Sequence, residues 1–454
     1  MGARWRCCAS SATPRHSIVR SLLSRLISLA WPVALARLGI MGMGVCDAVV
    51  VGRLAASELP HQALGWAPTS VMLVTGIGLL TGVQVLGARA LGANTPEQAG
   101  GALQRGLVVS LLGGVASIAF AYAAGERVFL WFGVAHELAA PAARIMQALT
   151  WSVPLHLFYI CGAFFVEAIQ RPLASTWVMW IANLLNLGLN LWLVPEHGAL
   201  GSAYATVGAR LFLACALLAW MWSLPDAATY GLGRRVRTPS YRAFLGVGVA
   251  AGVSQAAEAS AFSGMTMLAG RLGAHAVAGY QILLNVLGVV FMLALGFATA
   301  TAVLTAEAVG RGESREARRV SWAGLGVNTG FLSGVALALS VLAAPIAHAY
   351  TVDLAVAGLV AALMHIVGLT VLVDGGQTVV ASALRAQGDN WFPTASHLLA
   401  YALVMPVLGV TFSEAQGLGV RGLMLAIAVA SVLSVGVLMA RLWFLSKVQP
   451  LSQT

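Results

Sequence analysis

The chain has 454 residues, 59% of them hydrophobic and only 9% charged, with a mean hydropathy of +0.85. Water-soluble domains carry about 25% charged residues, so this composition excludes one and places the chain in lipid. Its formal charge of +10 arises from 25 Arg and one Lys against 16 acids, and the location of the basic residues decides whether that charge means nucleic acid or membrane topology.

The first 20 residues, MGARWRCCASSATPRHSIVR, are basic and lack the apolar core and cleavage site of a signal peptide, so they read as a disordered tail. Beyond them the apolar stretches are long and continuous. They do not alternate with period two, which favours spanning helices over a transmembrane barrel. At about 20 apolar residues per crossing plus a connection, one crossing consumes roughly 35 residues and twelve need about 420. The predicted spans are 26–51, 62–87, 101–125, 143–168, 173–195 and 199–223, then 243–270, 276–305, 321–345, 355–384, 392–413 and 418–445. Between the two sets lies GLGRRVRTPSYR, the only strongly charged connection near the middle. The expected fold is an all-α integral membrane protein of twelve helices in two six-helix bundles, 21–230 and 243–445. A linker at 231–242 joins them, and tails cover 1–20 and 446–454.

With the N-terminus in the cytoplasm, 19 basic residues fall inside and 5 outside, while Arg37 and Arg210 fall within spans. The positive-inside rule therefore predicts both termini in the cytoplasm and an even number of crossings. The charge is topological, and no nucleic-acid partner is expected. Of the five cysteines, Cys7 and Cys8 lie in the tail and Cys46, Cys161 and Cys215 in apolar segments, with neither metal spacing nor a disulfide framework.

The halves repeat each other. Sliding the sequence by 218 residues aligns Gly52-Arg53-Leu54 with Gly270-Arg271-Leu272, and over positions 52 to 107 it gives 15 identities in 56 without a gap. One register held across two spans and two loops predicts an internal duplication. Because six spans and a linker separate the copies, they run parallel, related by an axis along the membrane normal, with a cavity between them.

Charged groups at membrane depth cost about 2.5–3.5 kcal/mol even on the lenient insertion scale, so each is a functional candidate. Three acids lie well inside apolar runs. Asp47 is about 7 Å from the outer end of its helix, Glu258 about 18 Å from the outer end of its own, and Asp374 about 16 Å from an inner end, at 1.5 Å rise per residue. Glu258 and Asp374 thus share mid-depth in the second bundle. A proton or a sodium ion held between two such carboxylates would relieve their repulsion, and Gly375-Gly376 would let the helix unwind to offer carbonyl ligands. The alternative is that each acid hydrogen-bonds to a neighbouring helix or pairs with Arg37 or Arg210.

Glu167 and Glu307, near inner span ends, are expected to snorkel. His156 and His365 are proton-relay candidates, with a satisfied core histidine as the alternative. Asn186 and Asn190, four apart, face the same way on the fifth span and are candidates for a polar cavity. Gln255, Tyr280 and Gln281 extend that candidate lining. Trp31, Trp66 and Tyr280 are candidates for stacking on a planar cation, with an interfacial belt or helix packing as the alternative. No G-x-x-x-x-G-K-[ST] loop, H-E-x-x-H or G-x-S-x-G motif occurs, so neither ATP hydrolysis nor a familiar hydrolase is indicated. A membrane-embedded hydrolase built on Glu258 and Asp374 gives no reason for a duplication, whereas transport does.

Pro32, Asp47 followed by VVVGRL, the loop segments around Gly92 and Gly310, NLLNLGLN from Asn183 to Asn190, PEHGALG from Pro195 to Gly201, and the segment Asp374 to Pro393 together carry a resemblance. In their order they resemble the multidrug and toxic compound extrusion (MATE) family over about residues 20–445, and the acids resemble its NorM-type bacterial branch. The resemblance implies a small-molecule antiporter of the bacterial inner membrane, monomeric and without an organic cofactor. It would export bulky, often cationic amphipathic compounds by alternating access, with sodium or protons as coupling ion. Two positions depart from the pattern. Thr370 stands where an aromatic residue commonly precedes the tenth-span acid, and Asn190 is neutral where some members have an acid. The alternative within this architecture is a flippase for a lipid-linked sugar or cell-wall precursor, which a basic cavity would favour.

Overall fold

Residues 15–131, 134, 136–233, 236 and 240–448 are described in this computed structural model. Cys7, Cys8, the linker residues Arg234, Arg235 and Arg237, and residues 449–454 lie outside the described residues. The expected tail is shorter than the sequence suggests, because helix α1 (Arg15–Leu54) begins at Arg15. Once the apolar stretch has nucleated a helix, adding turns costs far less than starting one, so the helix extends back over residues 15–20.

The first half continues with α2 (Leu59–Gly92), α3 (Glu97–Ala124), the short α4 (Glu126–Trp131), α5 (His136–Thr150), α6 (Ser152–Ala168) and α7 (Leu173–Trp222). A straight helix of 50 residues would run about 75 Å, more than twice the hydrocarbon core of about 30 Å. Instead α7 turns back on itself at Gly198, whose φ of 56° and ψ of −138° are open to glycine. The reversal is so tight that a Cβ on Gly201 would strike the Leu193 carbonyl. Asp226, just after α7, accepts two hydrogen bonds from Arg171 at 3.0 and 2.7 Å, which ties this loop to the end of α6. The guanidinium holds the Asp226 carboxyl below the usual carboxylate range.

The second half comprises α8 (Tyr241–Arg271), α9 (Ala274–Gly310), α10 (Ser314–Val341), α11 (Ala343–Tyr350), α12 (Leu354–Gln387), α13 (Trp391–His397), α14 (Met405–Val410) and α15 (Gly419–Val448). The Ser240 side chain caps α8 by accepting from Ala243 N at 3.1 Å, and Asp353 caps α12 by accepting from Ala355 N at 2.8 Å. Gly388, left-handed at φ 102°, stops α12. Leu398–Val404 is wound as a π-helix. Pro406 follows two residues after its end. It has no N–H and its ring crowds the carbonyl four residues back, so the preceding turn widens.

Ten helices among the described residues are long and apolar enough to cross a membrane. Their outer faces carry exposed leucine, valine and tryptophan, such as Leu184, Leu337, Val341 and Leu403, a surface that water would not tolerate. Exposed Trp131, Trp222, Trp391 and Trp443 sit at helix ends, as expected of an interfacial belt.

The two halves meet along α1, α2, α8 and α9, and the closest approaches are made by glycine. A Cβ on Gly78 would collide with Gly252, one on Gly296 with Ala30 and Ala34, one on Gly92 with the Glu307 carbonyl, and one on Gly310 with the Arg89 carbonyl. These contacts run from mid-depth to the end where α1 begins and α15 finishes, here the terminal end. Around them packs a cluster of small residues that includes Ala88, Ala168, Ala306 and Ala386. Polar groups close the same end. Glu307 accepts from Arg25 at 2.9 Å, Gln170 at 2.7 Å and Arg311 at 2.6 Å. Arg89 donates to the Ala386 carbonyl at 2.8 Å.

Gly310→Leu is expected to destabilise the purified protein by about 1–3 kcal/mol, the usual cost of overpacking, because its side chain would meet backbone. A lowered midpoint of thermal unfolding in detergent checks this; an unchanged midpoint would show that the two helix ends can part freely.

Candidate functional site

The sequence-predicted residues fall into two polar sites, one in each half. In the first, Asp47 is buried on α1 and every donor it receives comes from α7. Its Oδ1 accepts from Asn186 Nδ2 at 3.1 Å and Asn190 Nδ2 at 2.7 Å, and its Oδ2 accepts from Thr206 Oγ1 at 2.6 Å. The reversal at Gly198 makes this possible, since residues 190 and 206 would be about 24 Å apart on a straight helix. The side-chain oxygens of Asn186 and Asn190 are buried without a partner. Asp47 is thus held by two amide N–H donors and a hydroxyl, while the amide oxygens of the same two asparagines stay without a partner.

Arg37 does not take Asp47. It pairs with Glu167 at 3.2 Å, and Gln84 donates to the other Glu167 oxygen at 2.7 Å. Glu167, expected to snorkel, is instead 2% exposed in this buried pair, because helix packing places a guanidinium within its reach. Glu307 likewise does not simply snorkel; it is the centre of the terminal-end cluster. Arg210 donates to Ser152 Oγ at 2.8 Å and lies 5.5 Å over the Trp66 ring. His156 is buried with its Nδ1 unpartnered.

In the second half, Asp374 on α12 is buried, and one oxygen, Oδ1, accepts from the Tyr401 hydroxyl at 2.8 Å, Ser431 Oγ at 3.2 Å and Gln377 Nε2 at 3.3 Å. Glu258 on α8 reaches the same region from the other side. Its Oε2 lies 4.0 Å from His397 Nδ1, and its side chain keeps 17% exposure. His397 in turn sits 2.6 Å from Ser254 Oγ and packs edge-on against the Tyr401 ring, with centroids 5.7 Å apart. The path from one acid to the other thus runs Glu258, His397, Tyr401, Asp374. No guanidinium comes within ion-pair distance of Glu258 or Asp374 among the described residues.

Several expectations change. Helix α12 does not unwind at Gly375-Gly376, since it is continuous from Leu354 to Gln387. Gly375 is there because Leu332 and Ala294 fill the place of its Cβ. Tyr280 is fully buried in the second apolar core beside Leu283. Gln281, His365 and Trp31 are exposed, and Gln255 is half-buried. Thr370 bonds its own helix at the Ile366 carbonyl, and the aromatic side chain that bonds Asp374 is Tyr401, from a different helix. Sequence reasoning passed over Thr206, Ser254, Gln377, His397, Tyr401 and Ser431. The available signal was His397 and Tyr401, four apart on one face of the eleventh predicted span.

The MatE family model matches residues 32–192 and again 250–411, about seven-tenths of the chain. The chain is similar to the "Probable multidrug resistance protein NorM" of Caulobacter vibrioides, with 37% identity covering 94% of this chain and 92% of that one. It is also 29% identical to the "Multidrug resistance protein PmpM" of Pseudomonas aeruginosa, over 89% and 88% of the two chains. Its backbone superposes with a TM-score of 0.85 on an outward-facing multidrug resistance MATE transporter, at 18% identity over 93% of this chain and 96% of that one, which speaks for the fold. The all-helical apolar fold, the polar sites sunk within it and these matches agree: the chain belongs to the MATE family of membrane transporters and is no enzyme.

Proposed function

We propose that this transporter is a cation-coupled antiporter that exports amphipathic, cationic organic compounds, with Glu258 and Asp374 holding the coupling ion and Asp47 serving as substrate counter-ion or ion-sensitive gate. Asn186 and Asn190 orient Asp47. The observation that carries the reading is that Glu258 and Asp374 approach one His397–Tyr401 chain deep in an apolar bundle, with no guanidinium or ammonium within ion-pair distance of either among the described residues. Two carboxylates at this depth without a full countercharge are costly to keep for stability alone. A small cation supplies the missing charge. Transport follows if its occupancy is worth more in one access state than in the other. A flippase reading is weakened because Arg37 is already neutralised by Glu167.

The reading includes twelve crossings and a duplicated chain. The reversal at Gly198 makes α7 two crossings, and α8, with 31 residues, adds another. The repeat is supported by reciprocity across the offset of 218. Gly92 meets residue 307 and Gly310 meets residue 89, while Thr176 donates to the Pro32 carbonyl and Thr394 to that of Ala250, both at 2.7 Å. Isologous contacts of this kind belong to two-fold arrangements. With the terminal end in the cytoplasm of a bacterial inner membrane, most basic residues lie on the positive-inside side.

Dye efflux from vesicles carrying the protein, with sodium and proton gradients imposed one at a time, tests the proposal. Efflux driven by at least one gradient is expected. Dye movement indifferent to both would end it.

A further inference from the structure

Arg385 is 9% exposed at the terminal end of α12, and its Nε and one of its terminal nitrogens, NH2, have no hydrogen-bond partner. Glu258, across from it on α8, has no donor closer than His397 Nδ1 at 4.0 Å. Each lies in the other's electrostatic field, and His397 lies in that of Arg385, yet Glu258 and Arg385 do not touch. Two opposite charges, one buried and the other only partly exposed, both under-satisfied, make a costly arrangement unless another state of the protein satisfies them. The Arg side chain is long and ends in a planar fork that matches a carboxylate.

We propose that Arg385 is a built-in rival of the coupling ion: when the cation leaves Glu258, the Arg385 guanidinium swings onto that carboxylate and holds it until a new cation displaces it. The idea rests on the assignment of Glu258 as a coupling-ion ligand. It adds a residue whose role is to expel the ion and so set its apparent affinity. The backbone of Arg385 is placed to report on access. Its carbonyl and that of Ala386 face Arg89 of the other half, at 3.4 and 2.8 Å, so the segment bearing the rival charge is gripped where the two halves close. Parting of the halves at this end frees that segment as the cation departs.

A ligand that must displace an internal competitor binds with an affinity reduced by the fraction of time the site is free. If Arg385 holds Glu258 about nine-tenths of the time, removing it tightens the cation about tenfold. The test uses full-length protein in proteoliposomes, with initial rates of dye efflux measured against sodium at fixed pH and against pH at fixed sodium. Arg385→Gln is expected to lower the half-saturating concentration of whichever cation drives wild-type efflux about tenfold, and to reduce the maximal rate because the ion is no longer expelled. Arg385→Lys, charged but without the fork, is expected to give an intermediate shift, and it serves alone if the Gln variant does not fold. Half-saturation unchanged or raised in the folded variants overturns the proposal while leaving the antiport reading intact. Wild-type efflux indifferent to both cations overturns that reading, and this inference with it.

Discussion

Asp374→Asn is expected to reduce cation-driven efflux about 100-fold or more, near the upper end of coupling free energies of about 1–3 kcal/mol, while leaving the folded protein in the membrane at its normal level. Asparagine keeps the oxygen that Tyr401, Ser431 and Gln377 bond, so the packing of α12 against α15 survives and the negative charge alone is lost. Efflux from proteoliposomes, read beside thermal unfolding of the same preparation, separates the two effects. A variant that unfolds at the wild-type temperature and still couples efflux to the gradient would remove Asp374 from the site.

The second large effect is expected at Asp47. Its three donors come from both limbs of α7, so Asp47→Asn sets a second amide against the amide of Asn190 or the hydroxyl of Thr206. Each hydrogen bond to a charged group is worth about 1.5–3 kcal/mol, and losing the charge weakens all three. We expect efflux to fall at least tenfold, on the order of one such bond, and the reversal around Gly198 to become more open to protease. Asp47→Glu should restore part of the activity. If Asp47→Asn transports a cationic dye as fast as wild type, this carboxylate is structural and the first half needs another site for the cargo.

Much of the fold was legible because hydrophobic runs long enough to span lipid have few alternative structures. The predicted break at 195 and 199 falls on the reversal of α7, and the predicted linker falls between α7 and α8. Sequence alone placed the acids by depth but could not say what faces them. Depth follows from counting residues along a helix, whereas partners depend on rotation about the helix axis and on contacts between distant segments. Arg37 therefore looked available to Asp47, ten residues away on its own helix, although Glu167, 130 residues on, holds it. Gly375-Gly376 looked like a hinge for the same reason, since a close-packed glycine and a flexible one are spelled alike. Tyr401 lies in a stretch whose π-winding no periodicity announces, and His397 stands at its edge.

The terminal end contains one more lesson. Arg89 and Glu307 are 218 residues apart, so in the proposed duplication each stands where the other does in the opposite half, and both reach across the boundary, Arg89 to the tip of α12 and Glu307 to Gln170 just beyond α6. Two identical subunits could never present arginine from one side and glutamate from the other. A single continuous polypeptide can, and this asymmetry leaves its two faces free to differ, as the proposed division between ion and cargo requires.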